Sequence, residues 1–389
     1  MKVVAKTANE AMAEAMRQIN PDVVAAYPIT PSTEIVQLFS RFVADGEVDT
    51  EFVPVESEHS AASACTGAAA AGARVMTVTS SQGLALMNEV LFVTPALRLP
   101  VVICAINRTL SAPINIHCDH SDTMDQRDSG WMQFYVEDSQ EAYDSVIQAV
   151  RITEEAFLPA IVSADAFILS HSLQRIEMLE DEEVQDFIGE HKTPYSVLDV
   201  DNPITVGPLD LQDYYFEHKR GEAEAMRKTP PIIKKVDREF GERFGREYGL
   251  IEEYRIKDAN KAIVVMGSTA GTAKEVVDTL RQDGEKVGVV KVKAFRPWPR
   301  EDINKSLESL EYVAVMDRAE GMNGFGSPLF TEVRSSLYEI DKRPDIYGYV
   351  YGLGGRDVKP RDLKKVFDDL KKVESGKKIE RVNYLGVRE

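Results

Sequence analysis

Short apolar runs alternate with helix-periodic stretches over residues 1 to about 175, and again from about 259 to 389. This alternation constrains the fold more than any other feature. Strands separated by helical crossovers pair side by side in parallel, with helices covering both faces of the sheet. In the first stretch the runs at 23–27, 52–55, 75–79, 101–106 and 160–164 read as strands. Thr7 and Glu10 form a capping box that opens a helix running to Ile19. Pro31, after Thr30, stands at the first position of a second helix, and Gly46 is placed to end it. An alanine-rich helix covers 60–73, and further helices cover 84–93 and 140–155. In the second stretch strands are expected at 262–266, 287–292, 312–316 and 346–351, with helices at 272–280, 301–310, 328–338 and 361–372. The expected fold class is α/β, with two doubly wound, mostly parallel-sheet domains at 1–175 and 259–389. The intervening 176–258 is crowded with charge (EDEEVQDF, EHKRGEAEAMRK) and interrupted by Pro203, Pro208, Pro230 and Pro231. It reads as an extension of loops plus one or two exposed helices, which either wraps a partner or spaces the domains.

Composition excludes several function classes. The net charge of −18 repels nucleic acid. No apolar run reaches the 18 or so residues that a membrane span needs. The start, MKVVAKTANEAMAEA, lacks the apolar core of a signal peptide, so a cytoplasmic protein is expected. The three cysteines, Cys65, Cys104 and Cys118, include no CxxC, and the chain cannot ligate a whole iron–sulfur cluster by itself. They read as reduced structural thiols.

Ligands of open parallel sheets gather at the carboxyl ends of the strands, and four polar segments follow strand ends in the first domain. Tyr27-Pro28-Ile29-Thr30-Pro31 offers the Thr30 hydroxyl, although threonine also caps helices routinely. Val55-Glu56-Ser57-Glu58-His59 places two carboxylates at a strand-to-helix junction. Either one serves the positive helix end or meets a cofactor nitrogen. Thr79-Ser80-Ser81-Gln82-Gly83 is a third such turn and doubles as a helix cap. The fourth, NRTLSAPINIHCDHSDTMDQRD at 107–128, is long enough to be functional. Its HCDHSD cluster matches no common zinc spacing, whereas Arg108 suits a carboxylate ligand held by two parallel hydrogen bonds. In the second domain Gly267 to Thr272 opens a helix like a phosphate loop without matching either glycine fingerprint. Gly321, Gly324 and Gly326 read more simply as tight turns.

Taken together, YPITPSTE, PVESEHSAASACTGAAAAGAR, TSSQGLALMNE, NRTLSAPINIHCDHSD, GPLDLQDYYFEHKR, KVKAFRPWP and DRAEG resemble the α subunits of multi-subunit 2-oxoacid:ferredoxin oxidoreductases, the pyruvate branch most closely. The resemblance covers nearly the whole chain. It implies oxidative decarboxylation of pyruvate with coenzyme A to acetyl-CoA and carbon dioxide, ferredoxin taking the electrons. It implies a thiamine diphosphate pyrimidine-binding domain at 1–175 and a domain like the carboxyl-terminal one of transketolase at 259–389. A β subunit is expected to hold the diphosphate and Mg²⁺, and γ and δ subunits the iron–sulfur clusters. The absence of any GDG here agrees with that division. By motif register, Glu58 rather than its rival Glu56 matches the glutamate that hydrogen-bonds the aminopyrimidine. Thr30 matches the threonine beside the substrate, and Arg108 the arginine that binds the pyruvate carboxylate. Ser81, Gln82 and Gly83 are expected to line the pyrimidine pocket. No residue is expected to hold a metal. Branched-chain 2-oxoacids and 2-oxoglutarate are the alternative substrates, and a non-catalytic assembly subunit is the alternative class.

Overall fold

The computed structural model describes residues 1–322 and 324–388. Seven strands form one sheet in the order Ala294–Arg296, Met132–Tyr135, Ala160–Asp165, Val101–Asn107, Val75–Thr79, Val23–Ala26, Glu51–Pro54. All pairings are parallel except that of Ala294–Arg296 with Met132–Tyr135. A second sheet has the order Val382–Leu385, Asp345–Tyr351, Tyr312–Asp317, Lys261–Val265, Val287–Val292, Ile251–Tyr254, and only the last pairs antiparallel. Lys2–Lys6 and Gln174–Met178 add a small antiparallel ribbon.

Both large sheets are buried on two faces, which explains their continuous apolar runs. Along the strand Val101–Asn107, Val102, Cys104 and Ile106 enter one core, and Val101, Ile103 and Ala105 the other. In Lys261–Val265, Ala262 and Val264 divide from Ile263 and Val265 in the same way. This period of two places helices on both sides, the doubly wound α/β arrangement expected from sequence.

Several elements differ from expectation. The helix expected from Pro31 begins at Thr33, with Ser32 as its cap. Thr30 and Pro31 lie in the preceding turn, where the Asn9 side chain donates to the Pro31 carbonyl at 2.9 Å and the Ser32 hydroxyl to the Ile29 carbonyl at 2.9 Å. The single helix expected at 84–93 is two, Ser81–Leu86 and Asn88–Ala96. The extension is less exposed than its charge suggests. Among its helices, Asp181–Ile188 and Thr229–Phe244 both pack on the first core, through Val184, Phe187, Ile188, Ile233, Val236 and Phe240. Phe187 meets Phe240 edge to face at 5.1 Å. A few apolar residues at helical spacing suffice to dock a mostly charged helix, because the charges occupy its other face. Tyr215–Arg227, by contrast, has no buried residue. The strands Ile251–Tyr254 and Ala294–Arg296 cross the expected boundaries: the first extends the second sheet from within the extension, and the second reaches back to the first sheet.

Candidate active site

Glu58 is the first residue of the helix Glu58–Ala70, which begins where the strand Glu51–Pro54 ends. Ser57 caps it by accepting from the Ser60 backbone N–H. A first-turn carboxylate is stabilised by the positive helix end, yet this one is 6% exposed rather than solvated. It packs on the helix Ser81–Leu86. A Cβ on Gly83 would fall 2.6 Å from Glu58 Oε1 and 2.4 Å from Thr79 Oγ1. Gly83 is therefore glycine because two polar side chains approach its Cα closely. Thr79 Oγ1 and Ser80 Oγ are buried without a hydrogen-bond partner among the described residues. A buried carboxylate and orphaned hydroxyls, packed against a backbone that carries no side chain at Gly83, are donors and acceptors of the kind a nitrogen-bearing ring needs. Glu56, two residues earlier, is exposed and accepts from the Ser60 hydroxyl, which holds its carboxyl below the usual range.

Arg108 and Thr30 meet nearby. Arg108 is buried, and its Nη1 donates to the Thr30 carbonyl at 2.9 Å while Nε donates to the Asn115 carbonyl at 3.2 Å. Two guanidinium N–H groups are thereby used in fixing the side chain. The Nη2 donors take no part in these two bonds. Gln82 Oε1 and the Thr109 carbonyl both lie 2.6 Å from the Ser81 hydroxyl. Ser81 itself has φ +49°, a left-handed conformation that costs an L-residue about 1–2 kcal/mol.

Asp122 connects these parts, and sequence reasoning did not single it out from its loop. Its Oδ2 accepts from the backbone N–H of Ser81 at 2.9 Å and of Arg108 at 3.0 Å. Its Oδ1 accepts from Asn107 Nδ2 at 2.9 Å and the Thr123 N–H at 2.8 Å. One carboxylate thus holds the strained turn at Ser81 and the backbone of Arg108 in register. Burial pushes its pKa up to about 6, against the pull of the N–H donors from Arg108, Asn107 and Ser81. The only sequence signal was an acid within a long polar loop; backbone donors leave no trace in residue identity.

The remaining candidates form a separate knot between the sheets. Asp165, at the end of its strand, lies 2.7 Å from His120 Nε2 and accepts from the Ser268 N–H at 3.1 Å and from Arg318 Nη1 at 3.1 Å. Arg318 also donates to Thr269 Oγ1 at 2.9 Å. The turn that opens the helix Thr269–Gln282, which resembles a phosphate loop only weakly and reads more simply as a tight turn, meets an anion supplied by this chain's own Asp165. Cys118, His120 and Asp165 bring donor atoms within 4.8 Å of one another, but the positive charge beside them is the Arg318 guanidinium, 3.5 Å from Cys118 Sγ. All three thiols are buried, and burial pushes Cys65 and Cys104 up to about 12 and Cys118 well above its ordinary value. No helix among the described residues is long and apolar enough to cross a membrane.

The chain matches known proteins over almost its whole length. Residues 14–238 match the thiamine diphosphate-binding family of pyruvate flavodoxin/ferredoxin oxidoreductases, and 259–363 match core domain II of pyruvate:ferredoxin oxidoreductase. Pyruvate synthase subunit PorA of Thermotoga maritima is 53% identical over 99% of this chain and 98% of its own length. Ketoisovalerate oxidoreductase subunit VorA of Pyrococcus abyssi is 47% identical over 95% of this chain and 94% of its own. In fold, the chain is similar to a 2-oxoglutarate:ferredoxin oxidoreductase from Magnetococcus marinus, with a TM-score of 0.71 at 20% identity, covering 95% of this chain and 65% of that longer one. The chain belongs to the pyruvate:ferredoxin oxidoreductase family.

Proposed function

We propose that this chain is the α subunit of a pyruvate:ferredoxin oxidoreductase working in the cytoplasm, and that Glu58, Arg108 and Thr30 carry its share of the chemistry. The observation that supports this most is the buried Glu58 carboxylate packed on Gly83, at the same strand-end edge as the tied pair Arg108 and Thr30. In this reading residues 1–175, completed by Ala294–Arg296, form the pyrimidine-binding part. Residues 176–258 form an extension, and 259–389 a part like the transketolase carboxyl-terminal domain. Thiamine diphosphate, when bound, supplies the carbon nucleophile and the electron sink for loss of carbon dioxide. Glu58 holds a proton against the aminopyrimidine nitrogen, and burial keeps water from competing for it. Ser81, Gln82 and Gly83 line the ring. Arg108 orients the pyruvate carboxylate beside Thr30. The chain has neither a GDG nor a CxxC; β, γ and δ subunits holding the diphosphate, Mg²⁺ and the iron–sulfur clusters complete the enzyme, with coenzyme A and ferredoxin as co-substrates.

A branched-chain 2-oxoacid is the second reading, favoured by the 47% identity to a ketoisovalerate oxidoreductase subunit. The test is the native assembly, isolated without oxygen and assayed for coenzyme A-dependent reduction of a low-potential dye with pyruvate, 2-oxoglutarate and 2-oxoisovalerate. Pyruvate is expected to be preferred; preference for 2-oxoisovalerate would transfer the assignment to the second reading. Glu58→Gln is expected to lower kcat by roughly a hundredfold or more with the assembly intact. Arg108→Ala is expected chiefly to raise the pyruvate KM, by roughly tenfold. Near-normal turnover in Glu58→Gln would favour a non-catalytic assembly subunit.

A further inference from the structure

The stretch from Tyr195 to Phe216 is unlike the rest of the surface. Eleven of its large apolar side chains are exposed, among them Leu198, Val200, Leu209, Leu211, Tyr214 and Phe216. Leu209 and Val200 are 90% and 88% exposed. Folded monomers rarely display contiguous apolar patches beyond a few hundred Å², and flexible spacers are built from small polar residues instead.

The stretch is also shaped. At its start the Val197 N–H donates to the Ala70 carbonyl at 3.0 Å and the Ser196 hydroxyl to the Ala71 carbonyl at 2.6 Å, fixing it to the end of the helix that Glu58 begins. Asp199 closes a local turn by accepting from the backbone of Asp201 and Asn202. A second turn forms where the Leu211 carbonyl accepts from the Tyr214 and Tyr215 N–H groups, each at 3.2 Å. Between the turns, residues 203–210 enter neither helix nor strand. The result is a strap held at the body and at the unburied helix Tyr215–Arg227, with its apolar side chains turned outward.

Charge selects the occupant. The strap carries Asp199, Asp201, Asp210 and Asp213 and no Lys or Arg. A second copy of a chain with net charge −18 would bring like charge against it. An anionic membrane surface would do the same. Exposed apolar anchors interspersed along the strap with acids, of which Asp210 is paired with His218, call for an apolar groove with a basic rim. We propose that the strap 195–216 docks a different subunit of the oxidoreductase assembly, into an apolar groove rimmed by Lys and Arg. This rests on the multi-chain reading above and adds to it the surface by which this chain is held.

A benzophenone amino acid placed at Leu209 in the native assembly tests it. The expected cross-link joins an apolar, Lys- or Arg-flanked peptide of another subunit. Backbone amides of 198–211 are expected to exchange at least roughly tenfold more slowly in the assembly than in the isolated chain. The triple variant Leu198→Asp, Leu209→Asp, Phe216→Asp is expected to keep the isolated chain's circular dichroism and Tm, because none of these side chains is buried. It is expected to retain less than roughly a tenth of the co-purifying subunit. A cross-link to a second copy, exchange as fast in the assembly as outside it, or normal assembly by the variant would overturn the proposal. An assembly that needs the strap yet oxidises no 2-oxoacid would sink the catalytic reading alone. An active assembly with a freely exchanging strap would sink the docking alone.

Discussion

Asp122 and Asp165 are each 1% exposed and both tie down the same long loop, yet their environments treat the charge in opposite ways. For both, burial is the largest influence and opposes ionisation. Among the described residues Asp122 accepts hydrogen bonds from neutral N–H donors, and its pKa stays raised, at about 6. Asp165 is answered by the Arg318 guanidinium and by His120, with Ser268 adding a hydrogen bond, and it is held well below the ordinary carboxylate range. A full countercharge overcomes desolvation where dipoles do not. The difference follows position. Asp165 locks two sheets together and can be permanently charged. Asp122 sits among the candidate substrate and cofactor residues, where, on the proposed reading of Arg108, a second fixed cation would compete with it for an anionic substrate.

The largest expected effect breaks the charged side of this contrast. Asp165→Ala leaves Arg318, 4% exposed, without its anion. Stranding one partner of a buried pair costs about 3–5 kcal/mol, read as a fall in the denaturant midpoint. Replacing both partners, Asp165→Leu with Arg318→Met, is expected to recover most of the loss, since apolar pairs of similar volume are often neutral. A loss below about 1 kcal/mol in the single variant would mean that the sheets are held by packing rather than by this knot.

The next effect is a pH dependence, and its sign differs between the two carboxyls. A carboxyl whose folded pKa is raised favours the folded state while protonated. The Asp122 contribution is therefore fully present below the unfolded value of about 4 and is lost as pH rises through about 6. About two pKa units correspond to at most about 3 kcal/mol. The depressed Asp165 acts in reverse, its contribution being present above about 4 and lost as pH falls. Comparing wild type with Asp122→Asn by denaturant unfolding between pH 4 and 7 cancels the other titrating groups. The variant is expected to flatten the decline toward pH 7. Parallel curves would show that Asp122 ionises in the folded chain as it does in water.

Much of this contrast was beyond the reach of sequence. The strand Val75–Thr79 and the helix beginning after Thr7 were legible because period two, period 3.6 and a capping box are local signals. Met132–Tyr135 and Ala294–Arg296 were not. One is four residues long and the other three, and a strand that joins a distant sheet is specified by tertiary pairing. The docked helix Thr229–Phe244 was hidden because its charges outnumber the apolar residues that bury it. Thr30, Glu58, Ser81 and Arg108 were named from motifs, and the structure places them at one sheet edge. The roles of Asp122 and Asp165 depend on which N–H groups and guanidinium reach them across the fold, and no residue pattern encodes that.

A smaller effect tests the close approach at Gly83. A Cβ there meets Thr79 Oγ1 and Glu58 Oε1 well inside contact distance, so Gly83→Ala forces both side chains to move. Overpacking of this kind costs about 1–3 kcal/mol. Because the displaced atom belongs to the candidate catalytic carboxylate, turnover is expected to fall further than stability explains. An assembly measured well below its unfolding temperature separates the two. If activity follows only the folded fraction, Gly83 is a packing glycine and the Glu58 position is not critical.

The smallest expected effect separates the two carboxylates that the sequence offered as rivals. Glu56 and Glu58 share a helix N-terminus, where either would serve the macrodipole equally. Glu56 is exposed and accepts a hydroxyl from its own first turn, so water replaces most of what Glu56→Gln removes. Its Tm is expected to move by less than about 2 °C, and kcat and KM to stay unchanged. Glu58→Gln keeps size and burial while exchanging the carboxyl proposed to serve the aminopyrimidine for an amide. The same chemical change two residues apart should therefore leave stability similar in both variants and activity in only one. Equal loss of activity in both would mean that negative charge at this helix end matters rather than a carboxyl at one atom, and would remove the reason for preferring Glu58.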